Sequence, residues 1–174
     1  NVFKELGFDD FTICINNRKI LNGLFESLEQ KDNSVEILRI IDKIDFSAFE
    51  SDAKWIVGFS DITVLHNALS RVGVASIHGI MAKHITLKAE GLENLMSMLF
   101  GTEVSYEISA HEFNKEGEAT GELVGGNLSV LYGLRGTPFD IDYRGKILFI
   151  EDLSERLYHI DRMIQNLRLG GVFE

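Results

Sequence analysis

Trp55-Ile56-Val57-Gly58-Phe59 is a short apolar run closed by Ser60-Asp61, after which Ile62, Leu65 and Leu69 recur at helical spacing. A brief continuous apolar run followed at once by a helical pattern reads as a buried strand feeding a helix through a tight turn. The same order repeats downstream. Val74-Ala75-Ser76-Ile77 reads as a strand, and Leu92, Leu95, Met96 and Leu99 mark a helix that stops at Gly101. Strand, helix, strand, helix predicts the α/β class, with a parallel-sheet layer and flanking helices.

Either side of this unit the pattern changes. Residues 10–16 alternate with β-favouring residues and predict a strand. Leu21, Leu24, Phe25 and Leu28 place one apolar face on a helix from about Arg18 to Glu29. Asp32-Asn33-Ser34 offers an N-cap to a second helix through Ile37, Leu38, Ile41 and Ile44. Residues 109–126 are polar and carry Gly117, Gly121, Gly125 and Gly126, the composition of a linker. Beyond them the pattern predicts a short helix from Asn127 to Leu134, a strand from Lys146 to Ile150, and a last helix on Leu157, Ile160, Met163, Ile164 and Leu167.

Composition narrows the function. The chain of 174 residues has net charge −10 and a pI near 5.0. A generic nucleic-acid surface needs a basic patch, so no nucleic-acid partner is expected. No apolar run approaches the ~20 residues that span a bilayer, so no membrane partner is expected. The single cysteine, Cys14, cannot form an intramolecular disulfide, and a reducing compartment is the default. Cys14 itself reads as a small buried hydrophobe in a strand.

Two local features could carry chemistry. Gly58-Phe59-Ser60 stands between strand and helix, where a nucleophile elbow holds a serine clear of the sheet and helix-start N–H groups meet an oxyanion. The alternative is that Ser60 is an N-cap and Asp61 a first-turn acid, and Ile62 occupies the place of the elbow's second glycine. Glu151-Asp152 ends the strand from Lys146, where carboxylates often meet a crevice. The alternative is an acidic flank for the next helix. Gly125-Gly126-Asn127 before a helix could bind an anion or simply turn the chain. The histidines, among them His66, His78, His84 and His159, show no metal-ligand spacing and read as packing or surface residues, and neither a metal nor a cofactor is expected.

The order of several blocks resembles the LD-carboxypeptidase family over about residues 39–174. The blocks are Arg39 to Phe46, Lys54 to Thr63, His78-Gly79-Ile80-Met81, Gly125-Gly126-Asn127-Leu128-Ser129, Gly136-Thr137-Pro138, Leu148 to Asp152 and Tyr158 to Met163. The resemblance implies a bacterial, cytoplasmic serine peptidase of peptidoglycan recycling, with a Ser-Glu-His triad. Ser60 matches the family's nucleophile, Glu151 its acidic member, and the backbone N–H of Asp61 its oxyanion donor. The implied substrate is a murein tetrapeptide or related peptide, cleaved at the L,D-bond to its terminal D-amino acid.

The family's catalytic histidine lies well beyond its glutamate. After Glu151 the sequence holds only His159, which matches the Tyr-His-Ile-Asp-Arg block instead. The expectation is a fragment that lacks its triad histidine and is inactive by itself. Ala53 also stands where the family commonly has proline.

Phe3 to Gly7 and Phe11 to Leu21, above all Ile15-Asn16-Asn17-Arg18-Lys19, resemble histidyl-tRNA synthetase. Its motifs for ATP are not present. The alternative functions are thus a synthetase-related binding module or a non-enzymatic hybrid. The expected organisation is a synthetase-like segment over 1–45 and a partial N-terminal LD-carboxypeptidase domain over 46–108. A linker over 109–126 and the start of an α/β or β-rich C-terminal domain over 127–174 follow. A homodimer is one way to cover the exposed edge of such a parallel sheet.

Overall fold

In the computed structural model of the chain, the described residues are 38, 40–81 and 89–174. The strand expected over 10–16, the helix over 18–29, the cap at 32–34, Cys14 and His84 lie outside them.

The described elements alternate as expected. A single 3-10 turn, Ile41–Lys43, stands where the second helix is expected to end. A short helix α1 (Ala48–Ser51) precedes strand β1 (Val57–Gly58). A 3-10 turn, Ser60–Ile62, then leads into helix α2 (Thr63–Arg71). Strand β2 (Ile77–His78) and helix α3 (Ala89–Leu99) follow. The last part is β3 (Leu123–Asn127), α4 (Leu128–Leu134), β4 (Ile147–Glu151) and α5 (Leu157–Leu169).

Both strand pairs are parallel. β1 pairs with β2, matching Gly58 to His78. β3 pairs with β4, matching Gly125 to Phe149 and Asn127 to Glu151. Parallel neighbours need a crossover, and here each crossover runs through a helix, α2 in the first pair and α4 in the second.

β3 departs from the expected linker. The polar stretch ends at residue 122, and Leu123–Asn127 is a strand. Glycine enters this strand because of its neighbour. Gly125 has φ +129, and a Cβ there would be driven into the Phe149 carbonyl oxygen. Only a residue without Cβ lets β3 approach β4 so closely.

Two apolar clusters hold these layers together. One gathers Val124, Leu128, Leu131, Ile141, Tyr143, Met163, Leu167 and Val172 between β3, α4 and α5. The other gathers Ile41, Ile62, Val64, Ala68 and Leu134 around the start of α2. Helix α4 serves both, because Leu128 and Leu131 face the first cluster and Leu134 the second. Fully burying a leucine contributes roughly 1.5–3 kcal/mol, so these three positions join the turn after β1 to the strands that follow.

Candidate active site

The turn after β1 is built around Ser60. Phe59 is extended, with φ −142 and ψ −175, and Ser60 then turns left-handed at φ +60. A non-glycine residue in that region is strained, and serine has no local reason to adopt it. The strain persists because packing fixes both sides. A Cβ on Gly58 would lie 2.9 Å from Cγ1 of Ile62, so the missing Cβ is the space Ile62 fills. The second glycine of an elbow is absent because an isoleucine at that place packs down onto the first.

The capping alternative for Ser60 is not what the chain adopts. Neither the 3-10 turn nor α2 has a side-chain cap, and Ser60 is exposed. Asp61 does fall in the first turn, as a first-turn acid would.

Glu151 sits at the end of β4, opposite Asn127. Asn127 organises the ground around it. Its Oδ1 accepts from the N–H of Val130 at 3.2 Å and from the hydroxyl of Ser129 at 2.7 Å, which caps α4. Its Nδ2 donates to Oε1 of Glu151 at 3.4 Å and to Oδ1 of Asp152 at 3.2 Å. Asp152 also accepts the Ser129 N–H at 2.9 Å through Oδ2. The carboxylate of Asp152 therefore meets the N-terminus of α4, the place where the Gly-Gly-Asn turn could have held a free anion. The pair does not flank α5 as an acidic cap, since α5 has no side-chain cap.

No hydrogen bond joins Ser60 to Glu151 directly among the described residues. They are joined through Thr63, whose Oγ1 accepts the Asn127 N–H at 3.0 Å. Gly126, at φ +138, makes this approach possible, because a Cβ there would lie 2.6 Å from Thr63 Oγ1.

Two histidines fill the space behind the turn. His66 is buried in α2. Its Nε2 lies 3.0 Å from the Gly58 carbonyl oxygen, and its Nδ1 lies 2.8 Å from Ser76 Oγ. A carbonyl only accepts, so Nε2 carries the proton and Nδ1 accepts from the serine. Burial pushes this imidazole down to about 4, against the opposing pull of the Gly58 bond and with the help of nearby His78. His66 is thus a neutral packing residue, as expected.

For His78 the expectation is likewise a packing or surface residue, and the structure makes it more than that. Its Nε2 lies 3.6 Å from Oε1 of Glu151, and its ring meets Phe149 edge-on at 5.1 Å. Burial lowers its pKa, while the Glu151 carboxylate pulls it back up. Spacing does not reveal this, because the partner lies on another strand. The available signal is position, since His78 ends a strand beside the elbow strand, as Glu151 ends β4. His159 is bonded elsewhere, with Nδ1 at 2.6 Å from Oε2 of Glu155, just before α5 begins.

A cleft of about 430 Å³ opens between α2, β2 and β3 and is lined by His66, Asn67, Ser76, His78, Gly125 and Phe149 among others. It reaches His78 but not Ser60, Asp61 or Glu151. Among the described residues no cluster of His, Cys, Asp and Glu could hold a metal ion. No helix there is long and apolar enough to cross a membrane.

Comparison with known proteins places this geometry. The family model described as the LD-carboxypeptidase N-terminal domain matches residues 34–79, and that of the C-terminal domain matches residues 120–174. Across these two stretches the chain belongs to the LD-carboxypeptidase family. The protein named probable murein peptide carboxypeptidase of Bacillus subtilis is 43% identical over 144 residues, which are 76% of this chain and 44% of that protein. The crystal structure of muramoyltetrapeptide carboxypeptidase from Oxalobacter formigenes superposes with a TM-score of 0.72 at 26% identity, covering 98% of this chain and 65% of the other. The chain thus spans less than half the length of that curated LD-carboxypeptidase relative. A separate similarity covers 43 residues, 25% of the chain, at 63% identity to histidine–tRNA ligase of Clostridium tetani, and spans 10% of that enzyme.

Proposed function

We propose that these residues supply the nucleophile and the acidic member of a serine LD-carboxypeptidase acting on murein tetrapeptide or a related peptide in bacterial peptidoglycan recycling in the cytoplasm. The observation that carries this reading is the left-handed Ser60 at the turn from β1 to α2. Local chain preferences do not produce that geometry, and it lifts a hydroxyl clear of the strand.

In this reading the Ser60 Oγ attacks the carbonyl carbon of the L,D-peptide bond. Its proton passes to an imidazole, and the Asp61 N–H meets the oxyanion that forms. Collapse expels the D-amino acid, whose amine takes the proton back, and water then hydrolyses the acyl-serine. Glu151 orients the imidazole and stabilises its charged form. The family's pattern draws that imidazole from beyond the Tyr158 to Met163 block, and His159 is engaged with Glu155. A polypeptide of these 174 residues alone therefore works without its general base.

The test is D-alanine release from murein tetrapeptide by the purified chain over long incubation. The expected result is slow release that disappears in Ser60→Ala. Loss of a triad member leaves about 10³- to 10⁴-fold catalysis over water in a working site. Release at the same rate in Ser60→Ala overturns the reading. Release at the full speed of the longer relatives would show instead that the base is already present.

A further inference from the structure

The geometry points to His78 as a positioning residue for Glu151: Nε2 of His78 and Nδ2 of Asn127 converge on one carboxylate oxygen, Oε1, and leave Oε2 to receive the triad imidazole. This rests on the reading of Ser60 and Glu151 as the catalytic pair.

Three observations carry it. First, both approaches are to the same atom, at 3.6 Å from His78 and 3.4 Å from Asn127. A carboxylate held through one oxygen has one orientation left for the other. The 3.6 Å separation is longer than a hydrogen bond, and such contacts in unliganded sites commonly close when substrate arrives.

Second, the His78 ring is held. Phe149 stands edge-on at 5.1 Å, and His66 lies 5.8 Å away on the α2 side. His66 is itself fixed at both nitrogens by Gly58 and Ser76. Third, the buried Nδ1 of His78 has no hydrogen-bond partner among the described residues. A buried N–H without a partner is costlier than an unused lone pair. The proton therefore belongs on Nε2, the nitrogen that faces Glu151.

The register explains why this residue can do so. His78 is matched to Gly58, two residues before Ser60, and Glu151 is matched to Asn127, which bonds to Thr63. His78 thus reaches Glu151 across the gap between the two strand pairs. The titratable groups facing it are His66 from α2 and Glu151 from β4.

Histidine-selective ¹⁵N spectra of the full chain test the contact directly. The expected result is a neutral His78 with its proton on Nε2, and a titration midpoint that falls by about one pH unit in Glu151→Gln, when the opposing charge is gone. A proton on Nδ1, or a midpoint unmoved by Glu151→Gln, overturns the proposal. Failure of the underlying site reading looks different. Ser60→Ala then releases D-alanine as fast as the parent while His78 still senses Glu151, and the proposal falls with that reading.

Discussion

The backbone N–H of Asn127 donates to Oγ1 of Thr63 at 3.0 Å, and this one bond ties the helix after Ser60 to the strand beside Glu151. Thr63 is wholly buried and Asn127 nearly so. Thr63→Val keeps the shape and removes the acceptor, leaving a buried N–H without a partner. The expected loss is about 1–3 kcal/mol, read as a lower urea midpoint, while Thr63→Ser loses less. An unchanged midpoint in Thr63→Val would show that the strand is held by packing alone.

Ser60→Gly separates stability from chemistry. Glycine adopts φ +60 without strain, so the variant gains about 1 kcal/mol while it loses Ser60-dependent D-alanine release. Ser60→Ala loses the release without the gain. Thermal unfolding of the three proteins side by side checks the order. If Ser60→Gly is no more stable than Ser60→Ala, the turn is not strained.

Two glycines should respond in opposite ways to alanine. Gly125→Ala forces a Cβ into the Phe149 carbonyl at a positive φ, and the β3–β4 pair must separate. A loss above about 4 kcal/mol or failure to fold is expected. Gly133 lies in α4, and a Cβ at that position would meet nothing within 4 Å. Gly133→Ala gains up to about 1 kcal/mol, because alanine favours the helix. Equal melting temperatures for the two variants would contradict this arrangement.

His66 makes stability depend on pH in a defined window. Its folded pKa is held down at about 4 by burial, below the ordinary 6.5. Between these values the unfolded chain binds a proton that the folded chain does not. Stability is therefore full above about pH 6.5 and falls as pH drops toward 4, by up to about 3 kcal/mol from this residue. Urea unfolding from pH 4.5 to 7.5 should show the slope, and His66→Gln should flatten it. A slope that is the same in the variant would assign it to other groups.

What is legible in the sequence depends on range. α2 and α5 are legible because their apolar residues recur with the helical period, and Asn127 is legible as a helix start because a cap acts within three residues. β3 is not legible. Gly125 and Gly126 have no side chains to alternate, and they are there because Phe149 and Thr63 need the space. His78 escapes notice for a similar reason, since its partner is brought to it by parallel pairing that no local pattern encodes. Ser60 and Glu151 stand out by type and by motif, but the Thr63–Asn127 bond that joins their supports is visible only once the chain is folded.

Ile62 gives the turn an unusual dependence between two positions. The side chain at 62 occupies the volume that a Cβ at 58 would claim. The two sites therefore share a fixed amount of room, and residue 58 cannot grow unless residue 62 shrinks. Lineages that enlarge residue 58 must shrink residue 62 in step, and a designer wishing to loosen this elbow should trim Ile62, since Gly58 has no side chain to remove.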